Sequence, residues 1–234
     1  MKRLFIILIS LFGCFITEAH EKDSVTVNLG VDIVDQYIWR GQHLGHVSMQ
    51  PTLGVGFKGL SLSTWGSMGI SNWNDTKELD LTLDYTFKGL NVGLTDYWFS
   101  TGNYFQYHND KTSHVFEGFV GYDFKYVAFK WFTNFAGDDG LNKDGKRAYS
   151  SYFELSAPFS FATLDWNASV GMVPWATTFY GNNHFAVTNI TLSATKNFEI
   201  KKGKCQIPVS AGLTVNPDTK KMYLLFGFGF RFDS

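Results

Sequence analysis

Acids and bases fall on one parity in several stretches of this chain. Asp32, Gln36 and Arg40 share one parity in the first polar-apolar stretch. Glu78, Asp80 and Asp84 share a parity in a later stretch, and Glu117, Asp123, Glu154 and Asp165, with Lys130 and Arg231, take the polar parity of others. If these faces enclose one space, the acidic excess sets a negative potential along it and favours cations or basic solutes. If the charges instead pair and hydrogen-bond with one another, they fill that space. Arg40, beyond Asp32 and Gln36 on the same face, is a candidate constriction or gate, and equally a rim salt bridge fixing the first loop. His46-x-Ser48 sets a base two residues from a hydroxyl nucleophile, a spacing a strand can use for hydrolysis. Val47 and Met49 claim the opposite, apolar face, so His46 and Ser48 are expected to point inward, and no catalytic residue is assigned. His43-x-x-His46, with His108, His114 and His184, falls near loops that could hold a transition metal or haem if they converged. No cysteine and no tight histidine-carboxylate cluster accompanies them in sequence, so no cofactor is assigned.

What positions these groups is a period of two. From Val25 to Gly41 the odd positions Val25, Val27, Leu29, Val31, Ile33, Tyr37 and Trp39 are apolar, broken only by Asp35, and most even positions are polar or small. This reads as one long strand, with Tyr37 and Trp39 expected at a membrane-water boundary. The same alternation returns with Leu79, Leu81, Leu83, Tyr85 and Phe87, with Cys205 to Val215, and with the final Met222 to Phe232. Phe57-Lys58-Gly59-Leu60 and Phe87-Lys88-Gly89-Leu90 are two copies of one tight turn thirty residues apart, the signature of an up-and-down meander. Pro51 predicts a bulge or a local distortion of its strand. Asp96 falls on the oily parity, where a charge at mid-depth costs about 2 kcal/mol or more, so a bulge near Thr95 or a place near the headgroups is expected. The phase from His184 to Thr195 is ambiguous, because Phe185 and Val187 lie on one parity and Ile190, Leu192 and Ala194 on the other.

Lys2 and Arg3, an apolar run from Leu4 to Ile16 and Thr17-Glu18-Ala19 form an expected secretory signal over residues 1–19, with a barrel domain over 20–234. Lipidation at Cys14 is the alternative processing. Cys205 would then be the sole cysteine left, too few for an internal disulfide. A net charge of −1 argues against a general nucleic-acid binder. Aromatics are 18% of residues and no apolar run after the signal nears the twenty residues of a spanning helix, whereas alternating strands remain able to cross a bilayer. The expected fold is therefore all-β: an antiparallel up-and-down transmembrane β-barrel of about twelve strands, both termini periplasmic, with short turns on that side and longer loops outside. Its expected partners are outer-membrane lipid and lipopolysaccharide, the barrel assembly machinery, which an aromatic amphipathic last strand suits, and a small hydrophilic solute.

Three segments carry a resemblance: Asp32-Ile33-Val34-Asp35-Gln36-Tyr37-Ile38-Trp39-Arg40-Gly41, then Gln50-Pro51-Thr52-Leu53-Gly54-Val55-Gly56, then Leu62-Ser63-Thr64-Trp65-Gly66-Ser67. Their wording resembles the opening of TorF-type porins and related outer-membrane proteins of Gram-negative bacteria, including the Bacteroides group. The resemblance implies a bacterial outer-membrane barrel that passes small hydrophilic solutes by diffusion, or a non-conducting structural or ligand-binding barrel. It supplies no substrate and no catalytic residue.

Overall fold

The computed structural model describes residues 24–100, 102–108, 111–200 and 205–233. The expected signal and Cys14 lie outside them. The strands, in chain order, are β1 (Thr26–Val34), β2 (Tyr37–Trp39), β3 (Gln42–Gly45), β4 (Ser48–Phe57), β5 (Leu60–Gly69), β6 (Glu78–Phe87) and β7 (Leu90–Trp98). Then follow β8 (His114–Asp123), β9 (Ala128–Gly137), β10 (Ser151–Phe161), β11 (Leu164–Val173), β12 (Ala186–Ile200), β13 (Cys205–Asn216) and β14 (Lys221–Asp233). Twelve of them, β1 and β4 to β14, close antiparallel into one barrel whose seam is β1 against β14, and β2 and β3 form a separate hairpin.

The alternation maps onto two faces. Leu29, Leu53, Leu62, Leu83, Leu94 and Phe228 stand exposed on the outside, while the opposite parity fills or lines the interior with Ser, Thr, Asn and Gly. The outer belt has the composition expected of a lipid-facing surface. Leu83→Arg, at a register position between Leu62 and Leu94, is expected to weaken folding into phospholipid vesicles by about 2–4 kcal/mol, and Leu90→Arg, beside the Phe87 turn, by about 0–1. Urea-dependent refolding into vesicles measures both, and equal losses would remove the depth dependence.

Three hairpins turn on two residues with positive φ, Lys58-Gly59 (47°, 82°), Lys88-Gly89 (47°, 85°) and Ala162-Thr163 (51°, 64°). These match the strand twist as type I′ turns do. The third follows β10, which runs to Phe161. Asp96 needs no bulge: the β6–β7 register is regular from Leu79↔Trp98 to Phe87↔Leu90. On the outer face its carboxylate meets His114 Nδ1 at 2.7 Å, and His114 Nε2 meets Tyr104 O at 2.6 Å under the stacked Tyr107 ring. Pro51 distorts without shifting register, with pairing resuming from Met49↔Met68 to Thr52↔Trp65. The two parities of the β12 region are reconciled by a bulge, where Gly171 faces Asn189 but Met172 faces Val187.

The largest correction concerns the first stretch. Its alternation continues to Trp39, but the barrel strand ends at Val34. Asp35 ends it: the Asp35 carboxylate accepts from Phe226 N at 2.8 Å while Asp35 N donates to Phe226 O at 3.0 Å. Beyond that point the chain leaves the wall. Arg40 (φ 50°) and Gly41 (φ 82°) close a two-residue turn between Trp39 and Gln42, so the segment folds back on itself as a hairpin. Tyr37 and Ile38 are buried at 3% and 5% exposure. They do not face a membrane boundary.

Candidate functional site

The hairpin of β2 and β3 lies inside the barrel, as its partners show. Tyr37 Oη donates to Glu78 Oε2 at 2.7 Å on β6, and its ring sits 5.5 Å from that of Trp65 on β5. Trp39 packs on Tyr97 of β7 and on Phe179 and Tyr180 of the loop after β11, with centroids 5.8–5.9 Å apart. Arg40 reaches β8, where its Nη1 and Nη2 donate to Glu117 Oε2 and Oε1 at 2.6 and 2.9 Å. At the tip, a Cβ on Gly41 would lie 1.8 Å from Thr188 O of β12, and Asn216 Nδ2 of β13 donates to Gly41 O at 3.0 Å. The hairpin therefore crosses the lumen from wall to wall.

Arg40 is the centre of this bridge. Its guanidinium carbon is 4.1 Å from the Phe132 centroid, 4.4 Å from Trp39 and 4.8 Å from Tyr152, and it also donates to the Tyr180 hydroxyl. Glu117 is fully buried and also accepts from Tyr97 Oη at 2.7 Å. A bidentate guanidinium-carboxylate pair inside an aromatic cage is a strong, directional contact. Arg40 is thus held at the centre of the lumen, not at the end of a long strand over Asp32 and Gln36.

The other charges fall into separate groups. Asp32 receives Arg231 across the seam, Nη2 to Oδ1 at 2.6 Å. Glu154 accepts from Tyr152 Oη at 2.9 Å and stands opposite Lys130 in register, whose ammonium lies 4.9 Å from the Phe119 centroid. Glu78 and Asp80 occupy successive inward positions of β6, buried beside the hairpin. Asp84, further along β6, accepts from Ser61 and from Asn91. Asp165 stands exposed at the rim, bound by Asn197 and Ser160. Gln36 leaves the group altogether and donates to Leu224 O at 2.8 Å. Tyr97, Tyr152, Tyr180 and Phe132 were missed from sequence. Tyr97 and Tyr152 sit on the polar parity, which is a usable signal, whereas Tyr180 belongs to a loop and gives none.

His46 and Ser48 do not form a hydrolytic pair. The Ser48 hydroxyl donates to His46 O at 2.8 Å, so its proton is committed to a carbonyl and not to the imidazole. His46 Nδ1 instead meets Asp75 Oδ1 at 2.9 Å. Burial alone would raise the Asp75 carboxyl, but the amide and ring of His46 outweigh it and hold it below the ordinary range.

No family model and no curated protein matches the sequence. Among solved structures the chain is similar to the NanC porin, with 10% identity, 89% of this chain and 99% of that one covered, and a TM-score of 0.49. It is also similar to an outer-membrane channel from Pseudomonas putida F1 (14% identity, 90% and 94% covered, TM-score 0.38) and to Salmonella typhi OmpF (10% identity, 90% and 97% covered, TM-score 0.37).

Proposed function

We propose that the protein is a bacterial outer-membrane channel of narrow bore for small hydrophilic solutes, with the β2–β3 hairpin as its constriction and a preference for cations. The observation that carries this reading is the hairpin crossing from Glu78 to Thr188 inside a closed twelve-stranded barrel. A lipid-facing belt without, and Ser, Thr and Gly on the inner parity, support a membrane location, and the short turns after β4, β6 and β10, on the side where β1 begins, support a periplasmic place for both ends. Lipopolysaccharide and outer-leaflet lipid would meet that belt, and the last strand, Lys221–Asp233, suits the assembly machinery.

Cation preference follows from what remains after pairing. Arg231 offsets Asp32, Arg40 offsets Glu117, and Lys130 stands opposite Glu154. Among the described residues no lysine or arginine forms an ion pair with Glu78, Asp80 or Asp84, so the carboxyl groups left without a cation gather on β6. Gln50 Oε1, Thr52 Oγ1 and Asp80 Oδ1 are buried acceptors without a partner among the described residues, on that same side. Groups of this kind are ordinarily satisfied by water, and Asn134 Oδ1 of β9 and Thr188 Oγ1 of β12 are in the same position, so the inner face is polar on both sides of the hairpin. The competing reading is a non-conducting barrel, favoured by the aromatic cage around Arg40, in which the hairpin is a permanent filling.

Purified protein in planar bilayers separates the two. Small discrete current steps are expected, with a reversal potential in a KCl gradient displaced toward the potassium equilibrium value. Many insertions without steps would establish the filled barrel, and a chloride-directed reversal potential would remove the cation preference.

A further inference from the structure

The base of the hairpin carries a second constellation, outside the lumen cage. His43 of β3 and His46, just beyond it, have ring centroids 5.0 Å apart. His46 is held from the far side by Asp75: Nδ1 lies 2.9 Å from Oδ1, and the His46 amide donates to Oδ2 at 2.7 Å. Asn72 Nδ2 donates to the same Oδ1 at 2.9 Å, and Thr76 N donates to Leu44 O at 3.1 Å, so the loop at 70–77 is fastened to β3. With Nδ1 bound to a carboxylate, the nitrogen left to His46 is Nε2, on a side chain 57% exposed. His43 stacks on Tyr223 of β14 at 5.9 Å and 25°.

A metal-ligating histidine characteristically gives its other ring nitrogen to a carboxylate or a backbone carbonyl, which fixes the tautomer and the ring direction. His46 has such a partner in Asp75. The spacing also fits: with metal-nitrogen bonds of about 2.0–2.1 Å, two imidazoles on one near-tetrahedral ion have centroids roughly 5 Å apart. We infer that His43 and His46 form an open, two-imidazole site for a divalent borderline metal, zinc, nickel or copper, with Asp75 as the positioning residue. Imidazole donors exclude magnesium and calcium, which take oxygen ligands. Among the described residues no group of three His, Cys, Asp or Glu side chains could hold a metal, so solvent completes the coordination and the metal exchanges readily. Because His43 lies within the returning strand β3 and His46 just past its end, a bound ion ties that strand to the segment where it joins the wall.

Calorimetric titration of ZnCl2 into the detergent-solubilised full chain, with MgCl2 as control, tests this without any current measurement. One saturable zinc site per chain and no magnesium binding are expected. His43→Ala and His46→Ala should each abolish the site, and Asp75→Asn should weaken it by about 10–100-fold. The unboiled band on a denaturing gel confirms that each variant is a folded barrel. Absence of saturable zinc binding, or its retention in both alanine variants, would overturn the site. Neither result bears on whether the barrel conducts.

Discussion

Arg40→Met is expected to give the largest change in current of any single substitution, raising the open-channel conductance several-fold. The reason is that it strips the hairpin of its anchor while leaving the barrel ladder intact. Arg40 is the cation of Glu117, which is completely buried and whose other contact is the Tyr97 hydroxyl. Breaking one side of a buried ion pair typically costs 3–5 kcal/mol, because the remaining charge has lost its partner and has no water. Two routes relieve that cost. Either Glu117 takes up a proton, or the hairpin swings out and lets solvent reach the carboxylate. The second uncouples Trp39 from its rings and empties the lumen centre. Single-channel recording of Arg40→Met and of Arg40→Met with Glu117→Leu distinguishes the routes. Replacing both charges by apolar groups removes the desolvation penalty, so the double variant should return toward the small wild-type steps while the single variant stays open. Unchanged conductance in the single variant would mean that the aromatic contacts alone seat the hairpin.

How much of this the sequence could reveal depends on the distance over which each signal acts. Closure of twelve strands, the inward set Asp32, Glu78, Asp80, Glu117, Glu154 and Arg231, and the Lys-Gly turns are all written in local alternation and in two-residue turn chemistry. The hairpin is not. Tyr37 and Trp39 keep the oily parity of the strand before them, and nothing within the segment says that their surroundings are a lumen of aromatic side chains instead of lipid. Asp35 was the local clue: its carboxylate interrupts the apolar parity where the barrel strand ends, and Arg40-Gly41 is a two-residue turn of the kind seen at Lys58-Gly59. Asp96 shows the same limit from the other side. Its oily-face position called for a bulge or a place near the headgroups, because its partner, His114, comes from the next strand across a long loop; it lies two residues from the end of β7, with the register regular. Period two identifies a face but not what that face meets.

Gly41→Ala isolates the seating of the hairpin from its charge. The position carries φ 82° and presses its backbone against the far wall, with Thr188 O only 1.8 Å from where a Cβ would stand. Backbone at such a contact cannot yield as a flexible side chain can, so the tip must withdraw from β12 and lose the Asn216 bond to Gly41 O. Gly145 provides the control. It has a similar φ of 70° but no atom within 4 Å of its would-be Cβ, so alanine there bears only the conformational penalty of about 1–2 kcal/mol. The two alanine variants thus share one cost and differ in the collision. Gly41→Ala is expected to enlarge the current steps and admit larger neutral polymers in a polyethylene glycol exclusion assay, with thermal stability of the barrel in detergent close to wild type. Gly145→Ala should leave both the steps and the exclusion limit where they were. If instead Gly41→Ala lowers barrel stability substantially with no gain in conductance, the hairpin is a brace on which closure of the wall depends, and the filled-barrel reading gains the ground that the channel loses.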